Sequence, residues 1–121
     1  MAKKNKNDVI IIEKERLDFN IETKIKGQRY DIFFLKNMFD ISSLINKGFK
    51  YIKIEDCEDD EILLQNIIFE LCRAYLFECG LISASDNDDF NIWLSIHIPE
   101  IYEKAKDFLY EYKKSLPKDS D

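Results

Sequence analysis

One histidine, three cysteines and three glycines are all this 121-residue chain offers to chemistry that depends on them. A single histidine cannot complete a Cys/His zinc set, and no C-x-x-C pair exists. Cys72 and Cys79 stand seven apart on one expected helix, about 10 Å along its axis, too far for a disulfide. Cys57, Cys72 and Cys79 are therefore expected as buried free thiols. Gly27, Gly48 and Gly80 each stand at a turn or helix end, and they form no phosphate-binding loop. No G-x-S-x-G turn is present. Ser95 and His97 would share a strand face with side chains roughly parallel, a poor geometry for proton transfer. Asp86 and Asp88 lack the glycine and distant glutamate of a calcium loop. No cofactor, metal or catalytic group is expected.

Long apolar runs are missing too. The run after the basic start, Val9 to Ile12, holds four residues, against about 7–15 for a secretory signal and roughly 18–20 for a membrane span. The expectation is a soluble, cytoplasmic protein with no membrane partner. Proline is scarce, at two residues. Valine occurs once against eighteen isoleucines, a usage that reflects AT-rich coding, as in a low-GC microbe or a mobile element.

What is present suffices for one α+β domain, expected over 8–116 with polar tails at 1–7 and 117–121. The apolar fraction is 45% and the aromatics are nine Phe, six Tyr and one Trp. Val9 to Glu13 reads as a short strand. Leu17, Phe19, Ile21, Thr23 and Ile25 alternate with polar residues without a break, which predicts a half-buried strand. Gly27 turns the chain and 28–35 returns. A two-residue loop at Lys26-Gly27 places Ile25 opposite Gln28, Thr23 opposite Tyr30, Ile21 opposite Ile32 and Phe19 opposite Phe34. Phe33 and Leu35 then need a cover on the other face.

Residues 40–47 read as a short helix ended by Gly48, and 49–55 as a strand. Asp59 or Asp60 starts the strongest helix, running to about Cys79 with Gly80 beyond it. That helix is apolar almost all round, apart from Asn66, Glu70, Arg73, Glu61, Gln65 and Glu78, so it should pack on more than one side. Residues 86–89 read as a loop, and 90–98 as another alternating strand closed by Pro99. Ile101, Ala105, Phe108, Leu109 and Tyr112 predict a final amphipathic helix. The order implies a mixed sheet of four to five strands, with an antiparallel hairpin, a parallel crossover pair joining 49–55 to 90–98, and three helices mainly on one face. Phe19 and Ile96 are expected in the core.

Charge is the remaining signal. The chain carries −6, with its basic residues concentrated before Ile54 and its acids after it. Glu55, Asp56, Glu58, Asp59, Asp60 and Glu61 crowd seven positions, more acid than a helix start needs. Asp86, Asp88 and Asp89 form a second group, expected at the far end of the long helix. Trp93 is either an interface anchor or, if a helix covers it, a core residue. The basic hairpin residues alternate with acids, only Tyr30 or Phe33 could serve as an exposed aromatic among them, and the net charge is −6, so direct nucleic-acid binding is not expected. These ten residues, Trp93 included, are the candidate docking set for a basic protein. The favoured function is a non-enzymatic immunity or inhibitor protein that masks the basic site of a toxin nuclease or similar partner. The alternatives are an anti-defence protein of a phage or mobile element that imitates nucleic acid, and an obligate subunit or homodimer.

Overall fold

A four-stranded sheet in the order β1-β2-β4-β3 carries one long helix on its face. The structure is a computed structural model that describes residues 17–117; the expected strand 9–13 and both polar tails lie outside these residues, apart from Pro117. β1 (Leu17–Ile25) and β2 (Gln28–Leu35) form the antiparallel hairpin in the expected register. Lys26 and Gly27 both have positive φ, 51° and 83°, the pair of left-handed residues that a two-residue hairpin loop requires.

β4 (Tyr51–Glu55) pairs parallel with β2, and the fold class is α+β with a mixed sheet. The parallel partner differs from the expected one. Residues 40–47 do not form a helix: Ser43–Asn46 is β3, an edge strand antiparallel to β4. Pairing along β4 supplies backbone hydrogen bonds that four residues with weak helix preference cannot match alone.

The long helix is α1 (Asp60–Glu78). Asp59 caps it, its carboxylate accepting from the backbone N–H groups of Glu61 and Ile62, and Gly80 follows at φ 83°. Alternation along the strands aims Tyr30, Ile32, Ile52 and Ile54 at α1. With Ile25 and Ala74 these form the buried core, and Ile45, Leu63, Ile67 and Leu71 pack against it. α1 reaches little of β1, so Phe19 lies 58% exposed, with its ring 6.2 Å from that of Phe34, and is not core. Phe33, Leu35 and Tyr51 alternate to the opposite face and are half-buried; the Phe33 and Tyr51 rings meet edge-on at 6.4 Å.

α2 (Ile82–Ser85) is a single turn, and α3 (Asp88–Ser115) runs for 28 residues. The expected strand 90–98 does not exist. Asn87 accepts from the Phe90 N–H, and Asp88 and Asp89 occupy the first turn, so the segment starts as a capped helix. Pro99 sits inside it and removes one intrahelical N–H without ending it. The buried positions are Asn91 and Ser95, four apart, whereas Ile92, Ile96 and Ile98 are 47%, 40% and 38% exposed. In a helix, residues two apart point about 200° apart around the axis, so the alternation marks no single face there. Ile96 is not a core residue.

Cys57 and Cys72 are half-buried and Cys79 is exposed; all three are free. Burial pushes the Cys72 thiol up. No helix among the described residues is long and apolar enough to cross a membrane.

Candidate functional site

The six acids at 55–61 divide by task. At the end of β4, Glu55 Oε2 accepts from the Met38 N–H at 3.2 Å. Asp56 turns back to accept from the Cys57 N–H at 2.9 Å. Asp59 is spent on the cap. Glu58, Asp60 and Glu61 stand exposed, with no ion pair to any described residue. Half of the cluster is thus structural, and three carboxylates at the start of α1 remain open to a ligand.

The second group also divides. Asp86 pairs with Lys47, whose ammonium holds the Asp86 carboxyl below the usual range by hydrogen bonding first and by charge second. Asp88 faces the α1 side of its helix, close enough for its charge to act on Glu70. Asp89 faces solvent. Ser85 and Arg73 exchange hydrogen bonds, Ser85 Oγ donating to Arg73 O at 2.7 Å and Arg73 Nε to Ser85 O at 3.3 Å. The second group therefore lies level with Arg73, thirteen residues along α1 from Asp60, or about 20 Å.

The helical form of 88–115 brings Trp93 to the acids. Asp89, Trp93, Ile96, His97 and Glu100 fall at offsets 0, 4, 7, 8 and 11, one face of α3. This face is opposite Asn91 and Ser95, so no helix among the described residues covers Trp93, which is 50% exposed. Its ring lies 4.6 Å from that of His97, and His97 Nδ1 lies 3.5 Å from Glu100 Oε1. An exposed aromatic with an acid at each end of its stripe can dock a surface that offers an apolar slot between cations.

Sequence reasoning missed a buried polar cluster behind this face. Glu70 is fully buried, yet it belongs to what looks like the polar stripe of α1. That stripe does not face water: it faces β3 and α3. Ser43 Oγ donates to Glu70 at 2.6 Å and Arg73 Nη1 at 3.3 Å. Burial pushes the Glu70 carboxyl up, against the pull of these two donors. Asn91 Nδ2 donates to the carbonyls of Ala84, Ser85 and Asn87 at 2.9, 3.3 and 2.8 Å. The Asn66, Glu70, Arg73 spacing was the available signal.

An open groove of about 340 Å³ lies nearby, lined by Ser42, Ser43, Gln65, Asn66, Phe69 and Ser95 together with Ile41 and Ile92. None of these side chains is ionisable. Among the described residues, no group of three or more His, Cys, Asp or Glu is placed to hold a metal ion. The chain matches no protein-family model, no curated protein and no solved structure.

Proposed function

We propose that this chain is a non-enzymatic, acidic docking protein of the immunity or inhibitor kind, which covers a basic site on a partner protein. The observation that carries this reading is Trp93, half exposed on a helix face that begins at Asp89 and ends at Glu100. Exposed tryptophan is costly to leave in water, and at interfaces it supplies binding energy out of proportion to its area. The open carboxylates Glu58, Asp60 and Glu61 add a second source of negative potential at the start of α1, within the span of a standard interface. Their role is steering: acids at a rim speed encounter with a cationic partner and make it salt-dependent.

The test uses the full chain as bait in a lysate of its source organism, with captured partners identified and then titrated as purified proteins. The expected partner is basic. Trp93→Ala should weaken it by about 2 kcal/mol or more, roughly 30-fold. Neutralising Glu58, Asp60 and Glu61 together should slow association and flatten its salt dependence. A captured partner that binds both variants as tightly as the parent chain would remove the docking reading.

A further inference from the structure

The second half of α3 has none of the described residues packed beside it. Ser95 shares a groove with Asn66 and Phe69 of α1, and α1 begins six residues before Asn66. Since both helices rise about 1.5 Å per residue, the start of α1 lies level with about residue 101 of α3. Every residue from Glu100 to Ser115 is exposed. About 20 Å of helix therefore projects beyond the body of the domain.

This projection is not a polar rod. Ile98, Ile101, Ala105, Phe108 and Tyr112 are spaced 3, 4, 3 and 4, the spacing of a coiled-coil seam. Ile101, Phe108 and Tyr112 are 56%, 72% and 59% exposed. Tyr102 and Leu109 widen the stripe on one side. Lys104 and Glu111, one heptad apart, border it on the other. A helix of four turns without packing is marginal in water, so an apolar seam of this length calls for a partner helix.

We propose that the partner is a second copy of this chain, paired antiparallel through residues 101–112. The seam is self-complementary in that direction. A two-fold axis between residues 106 and 107 sets Ala105 of each helix against Phe108 of the other, small against large, and Ile101 against Tyr112. The same axis brings Lys104 of each helix to Glu111 of the other, giving two equivalent ion pairs on one edge. Lys104 has no ion pair among the described residues, and Glu111 has only the exposed contact with Lys114 at 3.8 Å in its own helix. A parallel pairing fails on both counts: it stacks Phe108 on Phe108, leaves a void between the two Ala105 residues, and sets Lys104 beside Leu109. The paired segment lies wholly within the projection, so the two domain bodies sit at opposite ends. The Trp93 stripe takes no part, and this inference stands independently of the proposed docking function.

Sedimentation equilibrium of the full chain over about a hundredfold range of concentration tests the proposal. The expected species is a dimer of twice the 14.4 kDa chain mass. Phe108→Glu, at an exposed position, should give a monomer that still unfolds cooperatively in urea, with any loss of far-UV circular dichroism no larger than the projecting helix accounts for. Lys104→Glu alone, and Glu111→Lys alone, should each weaken the dimer about tenfold or more by setting like charges together. The double variant Lys104→Glu/Glu111→Lys should recover it. A parent chain that stays monomeric, forms a different assembly, or dimerises unaffected by Phe108→Glu would overturn the pairing. Single charge variants that leave the dimer unchanged, or a double variant that fails to recover it, would overturn the antiparallel register.

Discussion

Ser95 and Ile96 are neighbours in the chain, and replacing each with aspartate should have opposite consequences. In a strand over 90–98, Ile96 would be core and Ser95 would face water. In α3, Ser95 is 4% exposed and Ile96 is 40% exposed. Complete burial of an isoleucine is worth about 1.5–3 kcal/mol, so loss of a side chain already 40% exposed costs about 1–2 kcal/mol. Ile96→Asp should therefore fold. Ser95 Oγ donates to the Ile92 carbonyl at 2.7 Å, and Ser95 lines the same groove as Asn66 and Phe69. A carboxylate there loses the donor, finds no cation, and is taken out of water, at a cost of about 3 kcal/mol or more. Against the 5–15 kcal/mol total stability usual for a domain, that is a large fraction. Urea unfolding followed by far-UV circular dichroism gives both values. A Ser95→Asp protein as stable as the parent, beside an unfolded Ile96→Asp protein, would refute the helix and restore the strand.

Two further perturbations probe the sheet. Glu78 accepts from Tyr30 Oη at 2.7 Å and from Lys50 Nζ at 2.6 Å. These donors hold its carboxyl below the usual range, Lys50 first, while burial and Glu78 push the Tyr30 hydroxyl up. A carboxyl lowered on folding stabilises above its unfolded value, about 4.3, and that stabilisation disappears as pH falls through the folded value. Glu78→Gln should cost about 2 kcal/mol at pH 7, and the gap to the parent should close below pH 4; a gap that persists under acid would show that the carboxylate charge is irrelevant. Lys26 occupies the left-handed region at φ 51°, so Lys26→Asn should stabilise the hairpin by roughly 0.5–1 kcal/mol, read as a higher Tm. An unchanged Tm would mean that the turn carries no strain.

The hairpin and α1 were legible because hydrophobic pattern and punctuation agreed. Phe19 to Ile25 alternates, Gly27 turns, and the mirrored alternation in 28–35 admits one register that sets Ile21 against Ile32. Asp59 and Gly80 mark both ends of α1. α3 was illegible because its pattern is inverted: its wet side carries Ile92 and Ile96, and its buried side carries Asn91 and Ser95. A search for apolar faces finds the wrong face there, and Pro99 reinforced the error by standing where a strand could end. β3 was hidden for another reason. Its four residues gain their structure from β4, a contact absent from local sequence. The acidic clusters were visible as composition, but their division was not. The Lys47–Asp86 pair joins residues 39 apart, and no spacing rule reaches that far.

The same polar residues that misled the pattern fix where α3 lies. Isoleucine against isoleucine tolerates a slide of one turn, because apolar contacts of similar size are interchangeable. Asn91 does not tolerate it. Its amide nitrogen binds three carbonyls at the α2 corner, while Arg73 and Ser85 tie that corner to the middle of α1. A shift of α3 by one turn would strand these donors and acceptors out of water, each at a cost of about 1–3 kcal/mol. A buried polar contact of this sort sets register more sharply than it adds stability. With the corner fixed, helix length decides the rest. α3 has 28 residues and α1 has 19, and they run antiparallel from a common corner. The longer helix must outrun the shorter by about nine residues, and by more because α2 sits level with Arg73 rather than beyond the end of α1. The projecting seam from Ile101 to Tyr112 is therefore a fixed consequence of the polar corner. Loosening that corner with Asn91→Ala would blur the seam's position before it unfolded the sheet.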